Sequence, residues 1–115
     1  MHELAITQSV VDAVTERTGA TPVAAVRLRV GRLAGVVPDA MRFCFELVTE
    51  GTPLAGADLV IDEPEGRARC RTCGAEFPVR DLLLLCACGS ADVEVLAGRE
   101  LSVVSVVLAD HRAGV

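Results

Sequence analysis

Residues 70–90 read CRTCGAEFPVRDLLLLCACGS, and this stretch decides the fold because it holds four of the five cysteines. Cys70 and Cys73 form a C-x-x-C pair, Cys86 and Cys88 form a C-x-C pair, and a glycine follows each pair. Two close cysteine pairs separated by a hairpin-sized stretch are typical of a structural zinc site, because a tetrahedral dication needs donors that converge from two tight turns. The glycines let the backbone turn beneath the sulfurs without a Cβ clash. We therefore predict that these four cysteines bind Zn(II).

Two other interpretations of the cysteines remain open at this point. One is a set of buried or disulfide-forming thiols, although the absence of a signal peptide favours metal ligands. The other is a thiol oxidoreductase, but Cys73 is followed by Gly74 and not by a helix that would lower the pKa of its thiol. Four cysteines would leave zinc no open position for water, and the chain contains no hydrolase, deaminase or nucleotide-binding motif. We expect a protein that is not an enzyme.

The composition indicates a single domain, or a domain with a small appended module, in a chain of 115 residues. Hydrophobic residues make up 51%, with three Phe and no Trp or Tyr, so the core must be aliphatic. The net charge of −5 argues against binding a polyanion such as nucleic acid. The opening MHELAITQSV is too polar for a signal peptide, and the longest apolar run, LLLL at 82–85, is too short to span a bilayer. These features predict a cytoplasmic protein.

The spacing of apolar residues predicts two helices and four strands around the cysteine segment. Together they favour an α+β fold in which two helices pack on one face of a small mixed β-sheet and bury its apolar residues. The strands on either side of the cysteine segment are candidates to pair with each other. The first helix has an apolar stripe of Leu4, Thr7, Val11 and Val14, with Val10 flanking it, and the second has an apolar side of Met41, Cys44 or Phe45, and Val48. The helices are predicted over 3–19 and 38–51, and the strands over 23–31, 57–66, 92–98 and 99–109.

The chain starts MHELAI, which gives His2 a chelating option that a histidine in mid-chain lacks. The amine of Met1, the amide nitrogen of His2 and its imidazole can close two adjacent rings around one metal. Nitrogen donors in a plane suit Ni(II) or Cu(II). The fourth position is left for the amide or carboxylate of Glu3, or for a donor from a partner. No second feature supports His111, which we expect to be an ordinary polar residue.

Several motifs together resemble the HypA/HybF family, the nickel metallochaperones of hydrogenase maturation. The motifs are MHELAI, VVPDAMRFCFELVTEGTPLAGADLVIDE, the paired cysteines ending in CGS, and GREL, and they run in this order over nearly the whole chain. The resemblance implies a domain that binds nickel at the extreme N-terminus, through His2 and the backbone nitrogens of Met1, His2 and Glu3. It also implies a zinc-ribbon-like module in which the four cysteines of 70–88 hold structural zinc.

The resemblance further implies partners, namely a HypB-type GTPase, the precursor of the hydrogenase large subunit and, in some members, the urease system. We place the nickel-binding α/β domain at 1–67 and 92–115 and the zinc-binding module at 68–91, and we expect a monomer or homodimer. Family members usually carry C-P-x-C-G-S, whereas Cys86-Ala87-Cys88 is one residue shorter, which predicts a tighter second turn. The alternative function is a zinc-ribbon adaptor that binds protein or nucleic acid without nickel. The small number of basic residues beside the cysteines argues against nucleic-acid binding, since only three arginines flank them: Arg67, Arg69 and Arg71.

Overall fold

The computed structural model describes residues 2–109 and shows two helices and two three-stranded sheets, so the predicted α+β class is confirmed. Residues 2–28, 36–61 and 103–109 form one compact unit, and Arg29–Gly35 with Asp62–Ser102 form another. The strand order is β2-β1-β6 in the first sheet and β4-β3-β5 in the second. The elements are α1 (His2–Thr18), β1 (Val23–Val30), α2 (Pro38–Thr49), β2 (Asp58–Asp62), β3 (Gly66–Cys70), β4 (Glu76–Val79), β5 (Val93–Ala97) and β6 (Leu101–Leu108).

Helix α1 buries one stripe of residues and packs against α2. Leu4 was predicted to lie in this stripe, but it is 50% exposed and Glu3 is buried in its place. The reason is helical geometry: a buried stripe through positions 3, 7 and 10 leaves position 4 rotated by about 100° towards solvent. The buried residues of α1 are Glu3, Thr7, Val10, Val11 and Val14.

Helix α2 begins with Pro38 in its first turn, as the sequence predicts, and buries Met41 and Phe45. Cys44 is only half-buried, so Phe45 is the one of the two candidates that enters the core. Strand β1 alternates as predicted, with Val26, Leu28 and Val30 buried. The core of this part of the molecule is therefore aliphatic, with one aromatic ring.

The second sheet is built around β3, which pairs antiparallel with both β4 and β5. The sequence predicted that β5 could pair with β2, the strand on the other side of the cysteine segment. This was wrong, because β2 pairs with β1. Strand β3, which overlaps the start of the predicted insert, gives β5 a closer partner along the chain. The small core beneath this sheet consists of Leu33, Ala68 and Val79, with Phe77, Leu84, Val93 and Val95 packed against it.

A close backbone crossing joins residues 29–35 to the rest of the second unit. The Gly31 N–H donates to the Glu100 carbonyl and the Leu33 N–H donates to the Gly98 carbonyl, both at 2.8 Å. A Cβ on Gly31 would overlap the backbone of Gly98. Glycine at position 31 is therefore required for the two segments to approach this closely.

Strand β6 departs from the expectation that the helix pair would bury the apolar residues of the sheet. It lies at the end of the β2-β1-β6 order, and most of its side chains are exposed. Val104, Val107 and Leu108 are between 42% and 56% exposed. An apolar strand edge is thus left open in the described part of the chain.

Candidate metal centre

The first cysteine pair sits on a tight turn that follows β3. The Cys70 N–H donates to the Ala75 carbonyl at 2.8 Å, and the Gly74 N–H donates to the Cys70 carbonyl at 2.9 Å. Gly74 has a φ of +81°, a left-handed conformation that a residue with a side chain rarely adopts. The turn also directs the Cys73 N–H at the Cys70 sulfur, 3.4 Å away.

The second cysteine pair closes a turn of its own even though it is one residue shorter. The Gly89 N–H donates to the Cys86 carbonyl and the Cys86 N–H donates to the Ser90 carbonyl, both at 2.9 Å. Gly89 has a φ of +93°. The glycine after each cysteine pair thus lets the backbone turn beneath the sulfurs, as the sequence predicts. The shorter second pair still forms a hydrogen-bonded turn at 86–89.

The two turns bring the four sulfurs of the second unit together. The Sγ atoms of Cys70 and Cys88 are 3.7 Å apart and those of Cys73 and Cys86 are 3.6 Å apart. All four lie within 4.8 Å of one another. A zinc–sulfur bond of about 2.3 Å in a tetrahedron requires sulfur–sulfur separations of about 3.8 Å, so the donor set fits a tetrahedral thiophilic metal. The same distances exclude disulfide bonds, which need about 2.05 Å, and all five cysteines are free.

Burial divides the four sulfurs into two kinds. Cys70 and Cys86 are buried, whereas Cys73 and Cys88 are exposed. Hydrogen bonds from the backbone N–H groups, led by that of Cys73, lower the pKa of Cys70 to about 6. The Ala75 N–H lowers the pKa of Cys73, but the neighbouring Cys86 and Cys70 sulfurs raise it more, so the net direction is upward.

This arrangement argues against the thiol oxidoreductase interpretation. An attacking thiol needs a lowered pKa and access to its substrate. Here the lowered pKa belongs to the buried Cys70, and the exposed Cys73 has a raised one. The hydrogen bond from the Cys73 N–H to the Cys70 sulfur, which lowers the pKa of Cys70, forms within the C-x-x-C-G turn. In the sequence, only that pattern could have predicted it.

Two polar contacts beside the cysteines could not be predicted from the sequence. The hydroxyls of Thr72 and Ser90 are 2.9 Å apart and connect the two turns. The Arg71 guanidinium donates to the Asp92 carboxylate at 2.9 Å. Both contacts tie the first turn to the segment that follows the second, so they hold the two cysteine pairs in register.

The arginines that could support nucleic-acid binding are paired with carboxylates. Arg69 bonds Glu76 at 3.0 Å and lies 3.8 Å from Glu94, and Arg67 lies 3.7 Å from Glu76. The Arg69 guanidinium holds the pKa of Glu76 below its usual value. Binding a phosphate backbone needs cations free to displace counterions, and these charges are largely neutralised within the sheet.

The second set of predicted ligands lies at the start of α1. The helix begins at His2, whose side chain is 57% exposed, whereas the side chain of Glu3 is 10% exposed. The Glu3 carboxylate accepts a hydrogen bond from the Val37 N–H at 3.0 Å, at the residue that caps α2. This bond, with smaller contributions that include the nearby His2, lowers the pKa of Glu3 to about 2. Met1 and His111 lie outside the described residues.

Within residues 2–109, the cluster of metal-ligating side chains is the set of four cysteines. His2 and Glu3 belong to the other compact unit, where α1 presents them at its first turn. The sequence correctly grouped the cysteines, but it did not reveal that the Glu3 carboxylate bonds the start of α2. The pattern offers no signal for that contact, because the two residues are 34 positions apart.

A protein-family model matches this chain over almost its full length. The family described as "Hydrogenase/urease nickel incorporation, metallochaperone, hypA" matches residues 1–108. The chain belongs to this HypA family. The resemblance seen in the sequence is therefore confirmed, and it spans both compact units.

Relatives named hydrogenase maturation factor HypA match along almost their entire length. The chain is 47% identical to the one from Chlorobaculum tepidum over 112 residues, covering 94% of this chain and 99% of the relative. It is 51% identical to the one from Geobacter metallireducens over 104 residues, covering 90% and 94%. The one from Streptomyces avermitilis is 49% identical over 118 residues, covering 97% and 90%.

A solved structure of a HypA protein shares the fold. The solution structure of the Ni metallochaperone HypA from Helicobacter pylori aligns with a TM-score of 0.62 at 20% identity, covering 94% of this chain and 97% of that one. At this identity the likeness shows the fold alone. None of the described helices is long and apolar enough to cross a membrane.

Proposed function

We propose that this protein is a nickel metallochaperone that binds Ni(II) at its N-terminus and delivers it during [NiFe]-hydrogenase maturation. The observation that carries the proposal is that α1 of this HypA-family chain begins at His2. The ligands are the imidazole of His2 and the backbone nitrogens of Met1, His2 and Glu3. Four nitrogen donors in a plane suit Ni(II).

The helix start supports this ligand set in a specific way. The first four N–H groups of an α-helix have no intrahelical acceptor, because no carbonyl lies four residues before them. The amides of His2 and Glu3 belong to this group. Both amides precede the first i→i−4 hydrogen bond of α1, so nickel can displace their protons without disrupting the backbone ladder of the helix.

The Glu3 carboxylate has a separate role in the proposal. It is largely buried and accepts the Val37 N–H, so it anchors the first turn of α1 to the start of α2. We propose that the amide nitrogen of Glu3 binds nickel and that its carboxylate positions the first turn of α1. The positive end of the helix dipole opposes a cation at this place, which fits the moderate affinity that a carrier needs to release its cargo.

The four cysteines hold structural Zn(II) in this proposal. Zinc suits a closed set of four thiolates, and such a site leaves no position at which water or substrate could react. Its role is to fix the fold of the zinc-binding module at 68–91, which belongs to the second unit together with Arg29–Gly35 and β5, whereas the nickel site belongs to the first unit. We accordingly assign no catalytic activity to the protein.

Delivery requires partners that accept or supply nickel. We propose a HypB-type GTPase and the precursor of the hydrogenase large subunit, with the urease system as a second recipient, all in the cytoplasm. The net charge of −5 favours docking on basic partner surfaces. The zinc-ribbon adaptor loses support because its arginines already pair with Glu76, Glu94 and Asp92.

The test is calorimetric titration of nickel into zinc-loaded protein with its native N-terminus. We expect about one nickel per chain. His2→Ala and a variant with one glycine inserted before Met1 should both lose it, because the first removes the imidazole and the second moves the terminal amine out of the chelate. His111→Ala is the matched control, since it removes the other histidine and should bind nickel like the parent protein.

Zinc content measured on the same samples separates the two metals. All four proteins should retain one zinc, because none of the changes touches a cysteine. Equal nickel binding by all of them would overturn the assignment of His2, and no nickel binding by the parent protein would overturn the carrier function itself.

A further inference from the structure

The buried hydroxyl of Thr7 is a feature of α1 that the two metal sites leave unexplained. Thr7 is 1% exposed and shares its buried stripe with Glu3 and three valines. Its Oγ1 donates to the Glu3 carbonyl at 2.6 Å, one turn back towards the start of the helix. A valine has the same branched shape and would bury a methyl group where threonine buries a hydroxyl. The stability of the core does not by itself require a hydroxyl at this position.

Other hydroxyls of α1 make the same kind of bond, but in different surroundings. The side chains of Ser9, Thr15 and Thr18 each donate to the carbonyl four residues earlier, at 2.7–3.1 Å. All three residues are at least partly exposed to solvent. Water competes for such a bond at the surface but has no access to the buried hydroxyl. The bond from Thr7 is therefore the most persistent of the four, and its acceptor belongs to a proposed nickel-binding residue.

The bond from Thr7 holds the backbone of Glu3, whose side chain is held separately. The Glu3 carboxylate accepts the Val37 N–H at 3.0 Å. The Glu3 carbonyl accepts the Thr7 hydroxyl and, by the regular pattern of an α-helix, the Thr7 N–H as well. Both ends of Glu3 thus have a hydrogen-bond partner. These bonds hold the first turn of α1 at the place where helices otherwise fray.

A helical backbone at this place favours nickel binding because of where it puts the nitrogens. Two neighbouring backbone nitrogens are related by the rotation ψ, which is about −42° in a helix and about +135° in an extended chain. The helical value leaves both nitrogens on the same side of the Cα–C bond, as a five-membered chelate ring requires, whereas the extended value turns them apart. The amides of His2 and Glu3 are therefore pre-organised for one metal as long as α1 begins at His2.

We propose that Thr7 is a positioning residue for nickel: its hydroxyl keeps α1 helical through Glu3 and thereby raises the affinity of the N-terminal site. The inference rests on the proposed function, because it concerns the same ligands, although Thr7 itself does not contact the metal. A helical turn forms cooperatively, so an additional bond at Glu3 also limits fraying of the residues before it. A site that is already ordered loses less conformational entropy when the metal binds.

Two substitutions separate the hydroxyl of Thr7 from the packing of its side chain. Thr7→Val keeps the branched shape and removes the donor, whereas Thr7→Ser keeps the donor and removes the buried methyl group. We expect Thr7→Val to weaken nickel binding about two- to tenfold with little change in melting temperature. Thr7→Ser should bind nickel like the parent protein but melt a few degrees lower. A merely structural role would instead change nickel affinity and melting temperature together.

The measurement is calorimetric titration of nickel into the zinc-loaded full chain with its native N-terminus, beside thermal unfolding of the same samples before nickel is added. Thr49→Val is the matched control, because Thr49 is 2% exposed and its hydroxyl donates to the Phe45 carbonyl at 2.6 Å. Thr49 is the last residue of α2, about 18 Å along that helix from Val37. Thr49→Val should therefore bind nickel like the parent protein.

The Cα chemical shifts of residues 2 and 3 in the nickel-free protein provide a second measurement, which reports their helical fraction. Both residues should have helical shifts in the parent protein and in Thr7→Ser. In Thr7→Val the shifts should move towards random-coil values. The measurement on the parent protein does not depend on any variant folding, and random-coil shifts at both residues there would overturn the proposal.

Three results of the titration would also overturn the role of Thr7. They are unchanged nickel affinity in Thr7→Val, an equal loss of affinity in Thr7→Ser, and an equal loss in Thr49→Val. Each of them leaves the carrier function intact if the parent protein binds nickel. A parent protein that binds no nickel would instead overturn the carrier function and, with it, the role of Thr7, so the two failures are distinguishable.

Discussion

The two compact units of this protein are stabilised in different ways. The first unit has a continuous aliphatic core in which both helices and β1 bury large side chains, with Val26, Leu28 and Met41 at most 1% exposed. The second unit has a core cluster of three buried residues, Leu33, Ala68 and Val79, one of which is an alanine. Its other buried residues include the ligand candidates Cys70 and Cys86.

The difference shows how a short chain divides its stabilising interactions. Burial of apolar area contributes about 25 cal/mol per Å², so we expect the core of the first unit to stabilise it without a metal. A unit as small as the second rarely gains enough from burial, and small folds of this kind depend on a metal or disulfides. The comparison predicts that each unit responds to a different perturbation.

The largest expected effect is loss of the cysteine site. Cys70→Ser removes a buried ligand, and the second unit should then unfold while the first keeps its helices. Structural zinc contributes about 10–16 kcal/mol of apparent binding free energy in small zinc peptides, far more than the three-residue core can replace. Amide hydrogen exchange resolved along the chain measures this as loss of protection confined to β3, β4 and β5. A strong chelator added to the unaltered protein should give the same pattern.

Cys44→Ser is the control for this experiment, because Cys44 lies on α2 outside the cysteine cluster. It should leave protection in the second unit unchanged. If Cys70→Ser instead unfolds both units together, or neither, then the two units do not differ in the way their cores indicate.

A substitution that creates a cavity in the core of the first unit should have the second largest effect on stability. Met41 is fully buried on α2, and Met41→Ala should destabilise the first unit by about 2–5 kcal/mol through lost burial and the remaining cavity. Leu47→Ala, on the same helix, is the control: Leu47 is 51% exposed, and its truncation should cost less than about 0.5 kcal/mol. Denaturation followed by far-UV circular dichroism measures both, and zinc content should stay at one in each. Loss of zinc in Met41→Ala would mean that the second unit depends on the first core.

The smallest expected effect concerns Glu3 and depends on pH. Its folded pKa of about 2 lies below the value of about 4.3 in an unfolded chain, so the ionised carboxylate stabilises the folded state. This contribution is complete above the unfolded pKa and is lost as pH falls from there towards 2. Glu3→Gln should therefore lower the melting temperature of the first unit by a few degrees at pH 7. The difference from the parent protein should shrink as the pH approaches 3.

Leu4→Gln is the matched control, since Leu4 is half exposed on the neighbouring position of α1. Its effect on the melting temperature should not vary between pH 3 and pH 7. A pH-independent effect of Glu3→Gln would contradict the assigned role of the ionised carboxylate.

Local patterns in the sequence predicted the elements and the cysteine site well. The turns at 70–74 and 86–90 depend on residues that are adjacent in the chain, so spacing and glycine placement determined them. The helices followed from the apolar period, with Leu4 as the exception. That error arose because Glu3, whose carboxylate accepts the Val37 N–H, takes the buried position and turns Leu4 towards solvent.

Contacts between distant segments could not be predicted in the same way. β5 was expected beside β2, but pairing is decided by which strand edges are available after β3 and β4 have formed. Similarly, the valines of β6 have the pattern of a buried strand, and periodicity does not show that this strand lies at the edge of its sheet. The Thr72–Ser90 contact depends on the two turns meeting, which no local pattern encodes.

The glycine crossing in the second unit has a consequence for how the protein folds during synthesis. Residues 29–35 belong to this unit, yet they precede α2, and their partners at 98–100 are among the last residues of it to be made. Contacts this far apart in the chain require a large loop to close before they stabilise anything. On the ribosome, β3 and β4 can pair early, but the unit is complete only when residue 100 has emerged. A fragment that starts at residue 62 lacks one side of the crossing, so excising the cysteine segment does not yield the whole unit.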